Sequence, residues 1–141
     1  MVADPEIVIQ KRCDPFDRID FARYSMAVGD PNHVHVDGVV AAEAGLPDVI
    51  ASGGLVTALM DECVREWVET KGGRIHSAQR RFRAPLFPHR GIHIEGRLVA
   101  EQSETPDEAV IDVEAATEDR ELITTTTYVV RFGRDARSVS S

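Results

Sequence analysis

Two periodicities divide the chain at Gly73. Before it, the longest apolar pattern has helical spacing and runs from about Gly53 to Lys71. Leu55, Val56, Leu59, Met60, Cys63, Val64, Trp67 and Val68 form a broad stripe, with Glu62, Arg65, Glu66 and Glu69 clustered opposite. This spacing predicts a long, mostly enclosed helix. It starts at the Gly53-Gly54 step, where Ser52 can cap it, and ends at Gly72-Gly73.

After Gly73 the period falls to two. Four strands are predicted, near 74–84, 90–102, 108–118 and 121–132. Ile92, Ile94, Gly96 and Leu98 alternate with His93, Glu95, Arg97 and Val99. Ile111, Val113 and Ala115 alternate with Asp112, Glu114 and Ala116. Thr124 to Phe132 is strongly β-prone. Pro85 and Pro88 bracket a bend, while 103–107 and Glu118-Asp119-Arg120 read as hairpin connections.

The first part of the chain is more broken. Glu6 to Gln10 suits a short strand, stopped by Asp14-Pro15. Asp17 or Asp20 can cap a helix over about 18–27, with Ile19, Phe21, Ala22 and Met26 as its apolar contacts. A loop follows over Asp30–His35, then a short helix over about 38–44, capped by Asp37 and closed by Gly45. These elements predict one α+β domain over 1–132, with an antiparallel sheet and one long helix sharing a two-layer core. The Arg/Ser-rich residues 133–141 read as a disordered tail.

Composition narrows the functional classes. A net charge of −8 over 141 residues argues against general nucleic-acid binding. No apolar run reaches the ~20 residues that span a bilayer, and the N-terminus lacks the pattern of a signal peptide, so a cytoplasmic protein is expected. Cys13 and Cys63 have no metal-ligand spacing, and no metal site is expected.

Candidate chemistry concentrates between Tyr24 and Asp37. Asp30 and His35 are five positions apart, separated by the turn formers Pro31 and Asn32. A shaped loop carrying a carboxylate, an imidazole and an amide is a frequent seat of proton transfer. His33 reads as a solvent-exposed or structural imidazole. Asp61 falls on the enclosed side of the long helix and needs a partner there, such as an arginine from the sheet.

The string Tyr24-Ser25-x-x-x-Gly29-Asp30-x-Asn32-x-x-His35-x-Asp37 resembles the hydratase motif of MaoC-like enzymes, the (R)-specific enoyl-CoA hydratases and acyl dehydratases. The likeness continues through Ala42, Gly45, Ile50-Ala51, Gly53 and Leu55. It implies the hot-dog fold, an antiparallel sheet wrapped around a central helix, acting as a homodimer or higher homo-oligomer. It also implies that Asp30 and His35 activate a water that adds to a 2-enoyl thioester, or leaves a 3-hydroxyacyl thioester, with Asn32 positioning the loop or the water. The Gly53 N–H would bind the thioester carbonyl, with Ser52 and Gly54 beside it.

No cofactor is implied beyond coenzyme A or a carrier protein as part of the substrate. Of the six arginines between residues 74 and 97, Arg81, Arg83 and Arg90 are candidates for its phosphates. One departure stands out: relatives usually have histidine where this chain has Ser52. Two alternatives remain at this level. One is a hot-dog thioesterase using Asp61 or Glu62, and the other is a subunit of a heteromeric dehydratase.

Overall fold

A wholly buried seam of Val56, Met60, Val64 and Val68, four residues apart, runs down one side of a helix that spans Gly53–Glu69 in the computed structural model. Leu55 and Cys63 widen the seam, and Leu59 and Trp67 flank it half-buried. Each such aliphatic side chain contributes about 1.5–3 kcal/mol when fully buried. A charge placed at Val64 would therefore lose that contribution and be left unpaired in the core. The structure describes residues 5–99 and 107–133.

In chain order the elements are β1 (Glu6–Cys13), α1 (Arg18–Ala27), a 3₁₀ turn (His33–His35), α2 (Gly38–Glu43), α3 (Gly53–Glu69), β2 (Gly73–Phe82), β3 (Ile92–Leu98), β4 (Glu108–Thr117) and β5 (Leu122–Phe132). The strands form one antiparallel sheet in the order β1-β3-β4-β5-β2. Ile92, Ile94, Ile111, Val113, Ala115, Tyr128 and Val130 are buried, as alternation requires of strands with one face in the core. The sheet wraps α3 in the manner of a hot-dog fold.

Two expectations need correction. In α1, Ile19 and Met26 are 60% and 80% exposed, so they are not the helix's apolar contacts; Phe21 and Ser25, one turn apart, are buried instead. Ser52 is the N-cap residue of α3 by position, but its side chain makes no cap hydrogen bond. Asp17 and Asp20 do not compete as caps of α1. They form a reciprocal capping box, with Asp20 N–H donating to Asp17 at 2.8 Å and Asp17 N–H to Asp20 at 2.9 Å. β1 is longer than the expected Glu6–Gln10 and runs to Cys13, directly before the Asp14-Pro15 stop. The 103–107 connection, the last residues of the strand expected over 90–102, and the tail lie partly or wholly outside the described residues.

Candidate active site

The loop that follows α1 is shaped by its own side chains. Gly29, at φ +71°, turns the chain off the helix, and Asp30 N–H returns to the Ser25 carbonyl at 2.8 Å. The Asp30 carboxylate accepts from Asn32 N–H at 3.1 Å. The Asn32 amide oxygen accepts in turn from Val34 N–H at 3.2 Å. Two overlapping side-chain turns of this kind place His35 against the carboxylate. Asn32 thus holds the loop in shape, while His33 is exposed.

His35 is buried, at 7% exposure, and both ring nitrogens are engaged. Nδ1 lies 2.8 Å from the Ile50 carbonyl, and Nε2 lies 3.2 Å from Asp30 Oδ2. A carbonyl only accepts, so Nδ1 carries the hydrogen. Nε2 is then the ring nitrogen that faces the carboxylate directly, at a distance that leaves no room for a water between them. The Asp30 carboxyl is held below its ordinary range. The largest cause is the Asn32 backbone hydrogen bond, followed by the Ser52 hydroxyl and the charge and hydrogen bond of His35, all against some desolvation.

The Ser52 hydroxyl thus makes no cap bond to its own helix and helps hold the Asp30 carboxyl below its ordinary value. Beyond it, Leu55 N–H turns back to the Ser52 carbonyl at 3.0 Å. The Gly53 and Gly54 amides open the helix and have no acceptor within it. Both glycines are closely approached by the ends of side chains, which a larger residue would have to displace. A Cβ at Gly53 would lie 2.7 Å from Phe82 Cε1, and one at Gly54 would lie 2.8 Å from the Tyr24 hydroxyl.

His35, Ser52, Gly53 and Gly54 share a cavity of about 650 Å³ with Ile50, Ala51, Val56, Phe82, Leu86 and Thr124, among others. This volume suits a small-molecule tail, and the lining is mostly apolar. The dyad and the helix start thus meet at one cavity, although Asp30 itself stands behind His35 and outside the lining. Arg83 lies on the rim of this cavity and also on a second groove of about 720 Å³, which includes Arg81.

Other candidates fall elsewhere. Arg90 pairs with Asp119 at 2.7 Å and lines neither hollow, so its placement separates it from Arg81 and Arg83. Asp61 accepts from Arg80 at 2.7 and 2.9 Å and from the Tyr128 hydroxyl at 2.7 Å. It has the sheet arginine its position demands, and it is absent from the cavity lining. Glu62 is exposed. Phe82, Thr124 and the Ile50 carbonyl were not singled out by sequence. Phe82 alone carried a signal, an aromatic between two arginines at a strand end. Among the described residues, no group of three or more His, Cys, Asp or Glu side chains could hold a metal, and no helix is long and apolar enough to cross a membrane.

The strand order, the enclosed helix and the cavity at its first turn define a hot-dog domain. The model of the MaoC like domain matches residues 4–121, and the chain belongs to that family. Among solved structures, the ChsH1-ChsH2 complex from Mycobacterium tuberculosis superposes with a TM-score of 0.78 at 16% identity, over 94% of this chain and 100% of that one. An (R)-hydratase from A. caviae involved in PHA biosynthesis gives 0.76 at 21% identity, over 94% and 100%. A C-terminally truncated HadBC (3R-hydroxyacyl-ACP dehydratase) complex from Mycobacterium tuberculosis gives 0.69 at 14%, over 92% and 99%. No curated protein sequence matches the chain.

Proposed function

We propose that this protein is a hydro-lyase acting on acyl thioesters, adding water to a 2-enoyl chain or removing it from a 3-hydroxyacyl chain. The observation that carries the reading is the Asp30–His35 contact beside the cavity that begins at Gly53. In hydration, the oxygen of water bonds to C3 as the pair takes its proton. The C2–C3 π electrons move toward the thioester, and a proton from the pair is delivered at C2. The Gly53 amide stabilises the enolate oxygen that develops on the carbonyl, helped by the positive end of α3.

The acyl chain occupies the apolar cavity. Arg81 and Arg83 receive the phosphates of coenzyme A, or the phosphopantetheine of a carrier protein, at the cavity mouth. No further cofactor takes part. The active species is a dimer or a larger assembly of this chain in the cytoplasm. The named complexes among the structural neighbours make a heteromeric assembly the second reading of the oligomer. The thioesterase reading loses support, because Asp61 is bound to Arg80 and Tyr128 and Glu62 faces solvent.

The test is an assay of purified protein with crotonyl-CoA and longer 2-enoyl-CoAs, following enoyl absorbance and free thiol together. Absorbance should fall without thiol release. Thiol release with the double bond intact would assign a thioesterase instead.

A further inference from the structure

Asp30 and His35 hang from different parts of the fold. Asp30 follows α1, and its N–H returns to the Ser25 carbonyl in the last turn of that helix. His35 is held by the Ile50 carbonyl, in the segment that leads into α3. An ion pair on the surface joins the two parts. Arg18, in the first turn of α1, donates to both oxygens of Asp48, from Nε to Oδ1 at 3.1 Å and from Nη2 to Oδ2 at 2.6 Å. Among the described residues, no other side-chain hydrogen bond or ion pair links α1 to residues 46–50.

Further contacts commit each partner to this junction. Asp48 Oδ1 also accepts from Val49 N–H at 2.8 Å, beside the Ile50 peptide. The Asp48 carboxyl is held below its ordinary range, first by the Arg18 hydrogen bond. The remaining guanidinium nitrogen, Nη1, lies 3.4 Å from His89 Nε2. A guanidinium only donates, so that nitrogen of His89 accepts. His89 stands at φ +64°, a backbone conformation that residues with side chains seldom adopt, and its N–H donates to the Phe16 carbonyl at 2.8 Å. Strain of this kind persists where the surroundings demand it. Two nitrogens on one carboxylate and a third on an imidazole is a geometry that arginine supplies and lysine does not.

We infer that Arg18 is a positioning residue for the Asp30–His35 pair: through Asp48 it sets α1, which carries Asp30, against the 48–50 segment, which holds His35. The inference rests on the proposed hydro-lyase reading for the chemistry that the pair performs. Neither Arg18 nor Asp48 lines the cavity, so the effect is one of alignment. It keeps Nε2 facing Oδ2, and catalysis is sensitive to small displacements of that kind. Solvent reaches both side chains, at 57% and 29% exposure, so the pair contributes little to global stability.

The experiment measures kcat, KM and urea unfolding for wild type, Arg18→Ala, Arg18→Lys, Asp48→Ala and the double alanine variant, together with the nitrogen NMR signals of the His35 ring. Arg18→Ala should lower kcat on the best enoyl-CoA by about fivefold, the rate equivalent of an exposed ion pair, with KM within about twofold of wild type. Arg18→Lys should recover part of the loss. The double variant should lose no more than Asp48→Ala alone, because a single contact is removed. The His35 signals should move in Arg18→Ala while the unfolding midpoint stays in place. An unchanged kcat in Arg18→Ala, additive losses in the double variant, or a lost rate with unmoved His35 signals would overturn the inference. If wild type hydrates no enoyl-CoA, the hydro-lyase reading fails separately. The His35 signals then decide alone: a shift in Arg18→Ala upholds the positioning role, and unmoved signals overturn it.

Discussion

His35 Nε2 lies 3.2 Å from Asp30 Oδ2 while the Ile50 carbonyl holds the opposite side of the ring. Exchanging the carboxylate for an amide keeps the size and can keep a hydrogen bond to Nε2, but it removes the acceptor of the proton. Asp30→Asn should therefore lower the hydration rate at least about a hundredfold with little change in unfolding midpoint, and His35→Ala should do the same to the rate. Near-normal turnover in both variants would exclude the pair from the chemistry.

Ser52 supports the depressed Asp30 pKa, and that sets a pH effect. A carboxylate held below its ordinary value of 3.8 stays ionised as the pH falls, until its own folded-state pKa is reached. The stability it lends is present above the unfolded value and is lost on acidification through the folded one. Ser52→Ala should shift the Asp30 titration upward, toward 3.8, in a carboxyl NMR titration. The acidic limb of kcat/KM should move the same way. Because Ser52 makes no cap bond, the usual cost of about 1 kcal/mol for losing an N-cap side chain should not appear in urea unfolding at pH 7.

Gly53 and Phe82 form a second testable pair. An alanine methyl at Gly53 meets the ring edge of a side chain that is 64% exposed and free to swing aside. Gly53→Ala should leave stability within about 1 kcal/mol of wild type, since the helix start gains propensity as the ring gives way. It should cost at least about tenfold in kcat/KM by crowding the amide proposed to receive the carbonyl. Adding Phe82→Ala should recover part of that loss. No recovery would mean that backbone geometry, not the ring, sets the penalty.

Asp61, Arg80 and Tyr128 serve stability. Truncating Asp61 to alanine removes charged hydrogen bonds to two partners, which should cost about 1.5–3 kcal/mol in denaturant unfolding. Turnover at low temperature, where the variant stays folded, should remain within a few-fold of wild type. The Tyr128 hydroxyl is pushed well above its usual pKa of 10.0, first by burial and then by the Asp61 hydrogen bond and charge. Its stability contribution is complete below pH 10 and declines above it, because the unfolded chain loses the proton first. Tyr128→Phe should flatten the alkaline decline while lowering stability at pH 7.

Arg83 touches both hollows, and Arg81 lines the outer one. Replacing both with alanine should raise KM for enoyl-CoA by about tenfold, as loss of charged hydrogen bonds to phosphate would. An enoyl-pantetheine substrate, which lacks phosphate, should be unaffected. Equal losses with both substrates would defeat the phosphate assignment.

The long helix and the alternating strands are legible in sequence because each buries one continuous face. Val56, Met60, Val64 and Val68 could point nowhere else, and Ile92, Ile94, Ile111 and Val113 alternate without ambiguity. α1 is not legible in the same way. It has no continuous apolar face, and tertiary contacts decide that Phe21 and Ser25 go inward while Ile19 and Met26 stay out. The spacing of Asp30 and His35 is readable in the loop, but their contact depends on the Ile50 carbonyl, a backbone atom that no motif displays. The role of Ser52 is hidden for a related reason. At the first position before a helix, a serine is read as a cap, and only the fold brings a carboxylate close enough to compete.

Ile50 and Ala51 carry no reactive side chain, yet they tie three distant segments together. Ile50 N–H donates to Val34 at 3.1 Å while its carbonyl receives His35, and Ala51 N–H donates to Leu86 at 2.9 Å. The 30–35 loop, the approach to α3 and the β2–β3 connection are thus joined by hydrogen bonds and should open as one unit. Hydrogen exchange at the Ile50 and Ala51 amides would follow that opening. A substitution that loosens this pair would resemble an active-site lesion in its kinetics while leaving every reactive group in place.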